Sequence, residues 1–209
     1  MPSVRKSYDE ELLQLDTLLA RMGHEAGAAI ESALTALRND DIELARSVVA
    51  RDSQIDAGEH EIEHRCLQLL LRQQPVAGDL RRISTAMKVV TDIERIGDHA
   101  SDIAEIIPHL VTVRKEGDPA VSQAIAMGRK AYQMIQDAMA ALTAEDELAA
   151  RKVIAADDAV DFDFNAIKDT LAQEIAVDPA KVDAALDLLM VIKYLAVSYT
   201  HLTLPTIRL

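Results

Sequence analysis

At 209 residues, 49% of them apolar, the chain is long enough for one large or two small domains with a buried core. Its formal net charge of −13 excludes a nucleic-acid backbone binder, which needs a basic face, and argues against charge-driven adsorption to anionic lipid. Aromatics are 3% with no Trp, and Gly and Pro are few, which leaves a helix-forming composition and no strand alternation.

The N-terminus has no apolar run of the kind a signal peptide needs. From Tyr8 to Leu37 the apolar positions Leu12, Leu15, Leu19, Met22, Ala26, Ala29 and Ala33 recur at helical spacing and predict a first long helix. Asn39-Asp40-Asp41 supplies a turn and a cap. A second helix is expected over Ile42 to Gln73, turning Leu44, Val48, Ile55, Ile62, Cys66 and Leu69 inward. The single cysteine has no internal disulfide partner and reads as a reduced core thiol. Pro75 to Asp79 breaks the pattern, and a third helix follows from Asp79 to about Val113, with Pro108 expected to kink it or end it early.

Arg114 to Pro119 is a charged linker containing Gly and Pro, and a domain boundary is placed there. Helices are then predicted over Ala120 to Leu142, Asp146 to Val177, and from Ala180 onward. The restart is an internal repeat: Val48 to Asp56 lines up with Val153 to Asp161, matching Asp52 to Asp157 and Asp56 to Asp161. The expected fold is therefore all-α, two tandem antiparallel three-helix bundles over 1–113 and 120–195, joined by 114–119. After Val191-Ile-Lys-Tyr-Leu195, residues 196–209 are rich in Thr, uncharged until Arg208, and lack helical periodicity. They read as a foreign or frameshifted tail that leaves the second bundle truncated at its last helix. The longest apolar run, Leu188 to Val197, is interrupted by Lys193 and too short for a bilayer, so a cytoplasmic location is expected.

Charge patterning singles out the third helix. Met87, Val90, Ile93, Gly97, Ala100, Ala104 and Ile107 form an apolar stripe, while Glu94, Asp98, Asp102 and Glu105 stack in a separate line, with Lys88, Arg95 and His99 pointing elsewhere. Like charges four apart on a helix cost roughly 0.2–0.5 kcal/mol per pair, so an acid line without interleaved bases asks for a cation. Asp52, Asp56, Glu59 and Glu63 form a second such line on the preceding helix, and Asp157 and Asp161 begin a weaker third, where Phe164 and Lys168 take the next positions. Carboxylates without Cys or paired His suit hard cations bound through oxygen, such as Mg²⁺, Ca²⁺, Mn²⁺ or iron. A solvated acidic surface is the competing reading.

His60-Glu-Ile-Glu-His64 matches the zinc-protease pattern, and Glu61 with His64 matches one element of a di-iron bundle. Neither finds its further ligands, and solvent-facing histidines are the default. Arg72, Arg81 and Arg82 could grip a phosphate or a partner's carboxylate, but read more simply as surface arginines near a helix start. No phosphate loop or activated nucleophile is present.

Asp92-Ile-Glu-Arg-Ile-Gly-Asp-His-Ala100, followed by Asp102-Ile-Ala-Glu105 and preceded by Gln74-Pro-Val-Ala-Gly-Asp-Leu-Arg-Arg82, resembles the PhoU family of accessory regulators of bacterial phosphate uptake. The repeat and Asp52-x-x-Ile55-Asp56 strengthen the resemblance, which covers Tyr8 to about Leu195. It implies two three-helix bundles and a metal motif falling on Glu94/Asp98, Asp98/Asp102, Asp52/Asp56 and Asp157/Asp161. The implied cofactor is a divalent or ferric ion: iron, Mn, Mg or Zn. The implied role is not enzymatic. It couples a phosphate ABC transporter, through its ATPase subunit, to a sensor histidine kinase, and represses the phosphate-starvation response when phosphate is plentiful. Contact with the membrane would then run through those partners only, and a homodimer is left open. The alternative is a carboxylate-bridged di-metal helical-bundle enzyme using Glu61 and His64.

Overall fold

Aspartates in the turns start three of the helices. The computed structural model describes the backbone of residues 4–73, 75–114 and 117–206, and side chains over 8–72, 75–114 and 117–198. Helix α1 (Val4–Asn39) ends in a turn where Asp40 takes a left-handed φ of 55°, and Asp41 Oδ1 then accepts the Leu44 N–H to cap α2 (Ile42–Gln73). Helix α3 (Ala77–Val113) follows. Asp118 caps α4 (Pro119–Ala144) by accepting the Ala120 N–H, and Asp146 caps α5 (Glu147–Ala155) by accepting the Ala149 N–H. Helix α6 (Asp157–Val177), a 3-10 turn (Pro179–Lys181) and α7 (Val182–Thr206) complete the described chain, in which no strand occurs.

The all-α expectation of two three-helix bundles holds: α1, α2 and α3 pack together, and α4 packs with α5, α6 and α7. The bundles also press on each other, α3 along α7 and α1 along α4. This contact explains why α3 buries more than one stripe. Besides Ile93, Ala100, Ala104 and Ile107, a second line of Val89, Ile96, Ile103 and Leu110 is buried at intervals of seven. A helix with three helical neighbours buries a wider arc than a helix with two. His109 Nδ1 reaches Asp187 Oδ2 at 2.6 Å, tying α3 to α7 at the surface. Arg114, its side chain only 8% exposed, pairs with Asp40 and donates to the Leu37 carbonyl, which pins the start of the linker to the α1–α2 turn.

Three boundaries differ from expectation. Pro108 lies inside α3 and does not end it: buried Ile107 and Leu110 flank it, so packing offsets the ~3 kcal/mol penalty of an interior proline. The helix expected over Asp146 to Val177 is broken at Ala156, whose N–H is shared between Lys152 O and Val153 O, each at 3.1 Å. The next turn tightens as well, Ala159 N–H reaching Ala156 O at 3.2 Å, so α5 and α6 part there. The segment after Leu195, expected to lack helical structure, continues α7 to Thr206. In it Ala196 packs against the core and the buried Ser198 hydroxyl donates to Leu195 O, a bond that keeps a polar side chain compatible with a buried helix. The expectation of a foreign ending concerns mainly side chains 199–209, which lie outside the described residues.

Candidate metal centre

The antiparallel pairing of α2 with α3 brings the two acid lines together. Gly97 lies at that contact: a Cβ there would come within 2.8 Å of Ile55 Cδ1 and 3.0 Å of its Cγ2, so any larger residue makes the Ile55 side chain give way. Along the resulting groove one carboxylate oxygen from each of Asp52, Asp56 and Asp98 lies within 4.8 Å of the others. Among the described residues these three form the one such group of potential metal ligands. Asp52 Oδ1 is buried without a hydrogen-bond partner, while the buried Ser101, one turn beyond Asp98, favours the charged form of its carboxyl.

Three carboxyls of the groove are raised. Burial, then the charges of Asp98 and Asp56, raise the Asp52 carboxyl above its usual range. Asp98 is raised by burial, then by Asp56 and Asp102, with His99 pulling the other way. Glu94 is pushed up to about 7 by burial, then by Asp98, Glu59 and Asp56. A carboxylate held by a guanidinium would shift downward. Of the arginines on these helices, Arg65 holds Glu61, which Arg21 of α1 also reaches, and Arg82 pairs with Asp16. The groove is thus a concentration of oxygen ligands, which suits a hard cation.

The expected site residues separate into groups. Asp52, Asp56 and Asp98 converge, and Glu59 is near enough to Glu94 for its charge to raise that carboxyl. Asp102 is near enough for its charge to raise both Asp52 and Asp98, but it stands outside the group of three. In the second copy, Asp157 has a buried Oδ1 without a hydrogen-bond partner, whereas Asp161 is exposed. No third ligand joins them among the described residues. The position on α7 that corresponds to Glu94 is Ala196, whose methyl packs on the core.

His99 was expected to point away from the acid line and does not. Its Nδ1 lies 3.8 Å from Asp102 Oδ2, and its ring meets Tyr194 of α7 at a centroid distance of 5.4 Å. Burial, then the charges of Asp102 and Glu105, raise the Tyr194 pKa. Periodicity carries no signal for Tyr194, because it arrives from the other bundle. Ser101 had a weak signal, as a polar residue on an otherwise apolar helix face.

The histidine pair of α2 is turned to solvent. His60 Nδ1 is 2.8 Å from the Asp56 carbonyl, and His64 Nε2 is 2.7 Å from Gln68 Nε2. Glu61 is exposed and held by Arg65 and Arg21. A di-metal enzyme built on Glu61 and His64 needs them inside a bundle, facing further ligands. Their position on the outer surface counts against that alternative. Cys66 sits in the core as a free thiol, its pKa raised to about 11 by burial and the Glu63 charge, so it is inert.

A PhoU domain model matches residues 19–107 and 125–199. The chain belongs to the PhoU family. A protein of Clostridium acetobutylicum named a phosphate-specific transport system accessory protein PhoU homolog is 38% identical over 91% of this chain and 87% of its own. One of the same name from Aquifex aeolicus is 32% identical over 88% of this chain and 83% of its own. The crystal structure of PhoU from Pseudomonas aeruginosa superposes with a TM-score of 0.91 at 28% identity, covering 95% of both chains. That of the phosphate transport system regulatory protein PhoU from Streptococcus pneumoniae gives 0.86 at 25% identity over 95% and 93%. Relatives in the PhoU family are thus named as accessory or regulatory proteins rather than as enzymes. Among the described residues no helix is long and apolar enough to cross a membrane.

Proposed function

We propose that this chain is a cytoplasmic regulator of phosphate uptake that works by docking, coupling a phosphate ABC transporter to a sensor histidine kinase and holding the starvation response off when phosphate is plentiful. The names of its relatives support the tie to phosphate transport and an accessory or regulatory role. Its α2–α3 groove would hold a divalent or ferric ion on Asp52, Asp56 and Asp98, with Glu59 and Glu94 completing the oxygen shell. The observation that carries the metal half is the trio of carboxylates within 4.8 Å, two of them with raised pKa and one with an orphaned buried oxygen. A bound ion would supply positive charge where three acids meet and so tie α2 to α3.

The test joins metal analysis to a binding assay. Purified chain is titrated with Mn²⁺ and ferrous iron, and the transporter's ATPase subunit is used as bait in a pull-down. Stoichiometric uptake that is lost in the double variant Glu94→Ala, Asp98→Ala supports the site. Unchanged uptake in that variant removes the site assignment, and failure to retain the ATPase subunit removes the adaptor reading.

A further inference from the structure

Helix α6 packs on α4 and α7 and buries Val160, Ile167 and Leu171, while its opposite face is exposed. Both phenylalanines of the chain belong to it. Two positions apart on a helix, they point about 200° apart. Phe164 packs against the core, whereas Phe162 is 74% exposed. The bundle does not require that ring: in the first copy of the repeat the same position is Ala57, which is also exposed. Ala166, one turn on, is small and exposed, and leaves an open shelf beside the ring. About four turns further along, Val177 is 86% exposed. The charges around Phe162 carry one sign. Asp158 lies one turn before it, Asp161 beside it and Asp169 two turns after it, all three exposed. Among the described residues none of the three has an ion pair, whereas Asp163 and Glu174 of the same helix are held by Lys130 and Lys181. The one base of α6, Lys168, donates to Asn165 Oδ1. In α2 the places of Asp158 and Asp169 are taken by Ser53 and His64, so this face is peculiar to the second copy.

We propose that the outer face of α6 docks a basic amphipathic helix of a partner protein, anchored on Phe162 and oriented by Asp158, Asp161 and Asp169. This rests on the docking reading above and is independent of the metal groove. An exposed aromatic ring contributes little to its own bundle, yet rings of this kind, seated in a partner, carry a large share of interface energy. An amphipathic helix presents apolar side chains at steps of three and four, which suits a ridge running from Phe162 past Ala166 to Val177. Its flanking Lys and Arg meet the aspartates, which speeds encounter and fixes direction. Charge decides among the occupants. A second copy docking through the same face sets these aspartates against their own counterparts. An anionic bilayer repels them as well. A basic helix gains from all three.

The experiment is fluorescence anisotropy on the full chain in EDTA, with a labelled peptide of Leu and Lys alone, about five turns long and with Leu at helical spacing. A peptide of equal charge with Gln in place of each Leu is the control. Phe162→Ala installs the residue that the first copy carries there and is expected to weaken the Leu/Lys peptide about tenfold or more. Ala166→Arg crowds the shelf with a charge that repels the peptide, at an exposed position where arginine suits a helix, and should weaken it similarly. Asp158→Asn with Asp169→Asn should flatten the salt dependence of binding. Glu94→Ala with Asp98→Ala removes as much charge from the α2–α3 groove and should change affinity less than about threefold. Binding indifferent to Phe162→Ala and Ala166→Arg overturns the proposal, as does equal affinity for the Gln peptide or a larger loss in the groove variant. Self-association of the wild type that Phe162→Ala abolishes makes a second copy the occupant and overturns it too. A wild type that retains neither this peptide nor the ATPase subunit sinks the docking reading together with this one. Retention of the ATPase subunit with peptide binding indifferent to Phe162 sinks this one alone, and peptide binding that depends on Phe162 without that retention supports the site and removes only that partner.

Discussion

Glu94→Gln is expected to stabilise the metal-free protein at pH 8 and to leave it almost unchanged at pH 5. The folded Glu94 carboxyl titrates at about 7, against an ordinary value of 4.5. The folded state therefore holds a proton that the unfolded state has already released between those values. Stability is full below about 4.5 and is lost as pH rises through 7. At about 1.4 kcal/mol per pKa unit the gap corresponds to about 3 kcal/mol, and partial solvent access to the groove reduces this to about 1–2 kcal/mol. Gln removes the charge at nearly the same volume, and its amide is a donor towards the Asp98 carboxylate one turn away. For a chain of this size the gain is about 3–6 °C in Tm at pH 8, shrinking to within about 1 °C at pH 5. Circular dichroism melts in EDTA at pH 5, 6, 7 and 8 measure it. An equal Tm difference at every pH, or a loss of stability at pH 8, refutes the reasoning. The wild type itself should melt lower at pH 8 than at pH 5.5 in EDTA, since Asp52 and Asp98 are raised in the same sense.

Two further substitutions probe what builds the groove. Gly97→Ala puts a methyl within 2.8 Å of Ile55 Cδ1, and overpacking of about 1–3 kcal/mol should outweigh a helix-propensity gain of up to about 1 kcal/mol. Its urea midpoint should fall and, with α2 pushed outward, its Mn²⁺ affinity should fall as well; a more stable variant with unaltered affinity would show the approach to be unimportant. Ile103→Ala removes a fully buried side chain from the helix that both bundles share, and should cost about 3 kcal/mol in urea unfolding. A loss below about 1 kcal/mol would mean that the seam is loosely packed.

Much of this was legible in the residue pattern. The spacing of Leu12, Leu15, Leu19 and Met22, and of Ile93, Ala100, Ala104 and Ile107, sets helices and their inward faces, because burial on a helix obeys a period of 3.6 residues. Asp41, Asp118 and Asp146 announce helix starts through side-chain oxygens that accept the first free N–H groups. The two acid lines, and the pairing of Asp52 with Asp56 and of Glu94 with Asp98, follow from the same local geometry. These are short-range properties, carried by residues a turn or two apart.

Contacts between distant residues had to wait for the tertiary structure. The second buried line through Val89, Ile96, Ile103 and Leu110 acquires its meaning only when α7 lies against α3. The upward pKa shifts of Asp52, Glu94 and Asp98 need burial and like charges from two helices at once, and no single helix supplies both. Which acid joins the trio depended on the neighbours: Asp98 meets α2, whereas Asp102, one turn further along, stands outside the group and beside His99. Periodicity determined which carboxylates share a face, and packing between the bundles determined what each of them faces.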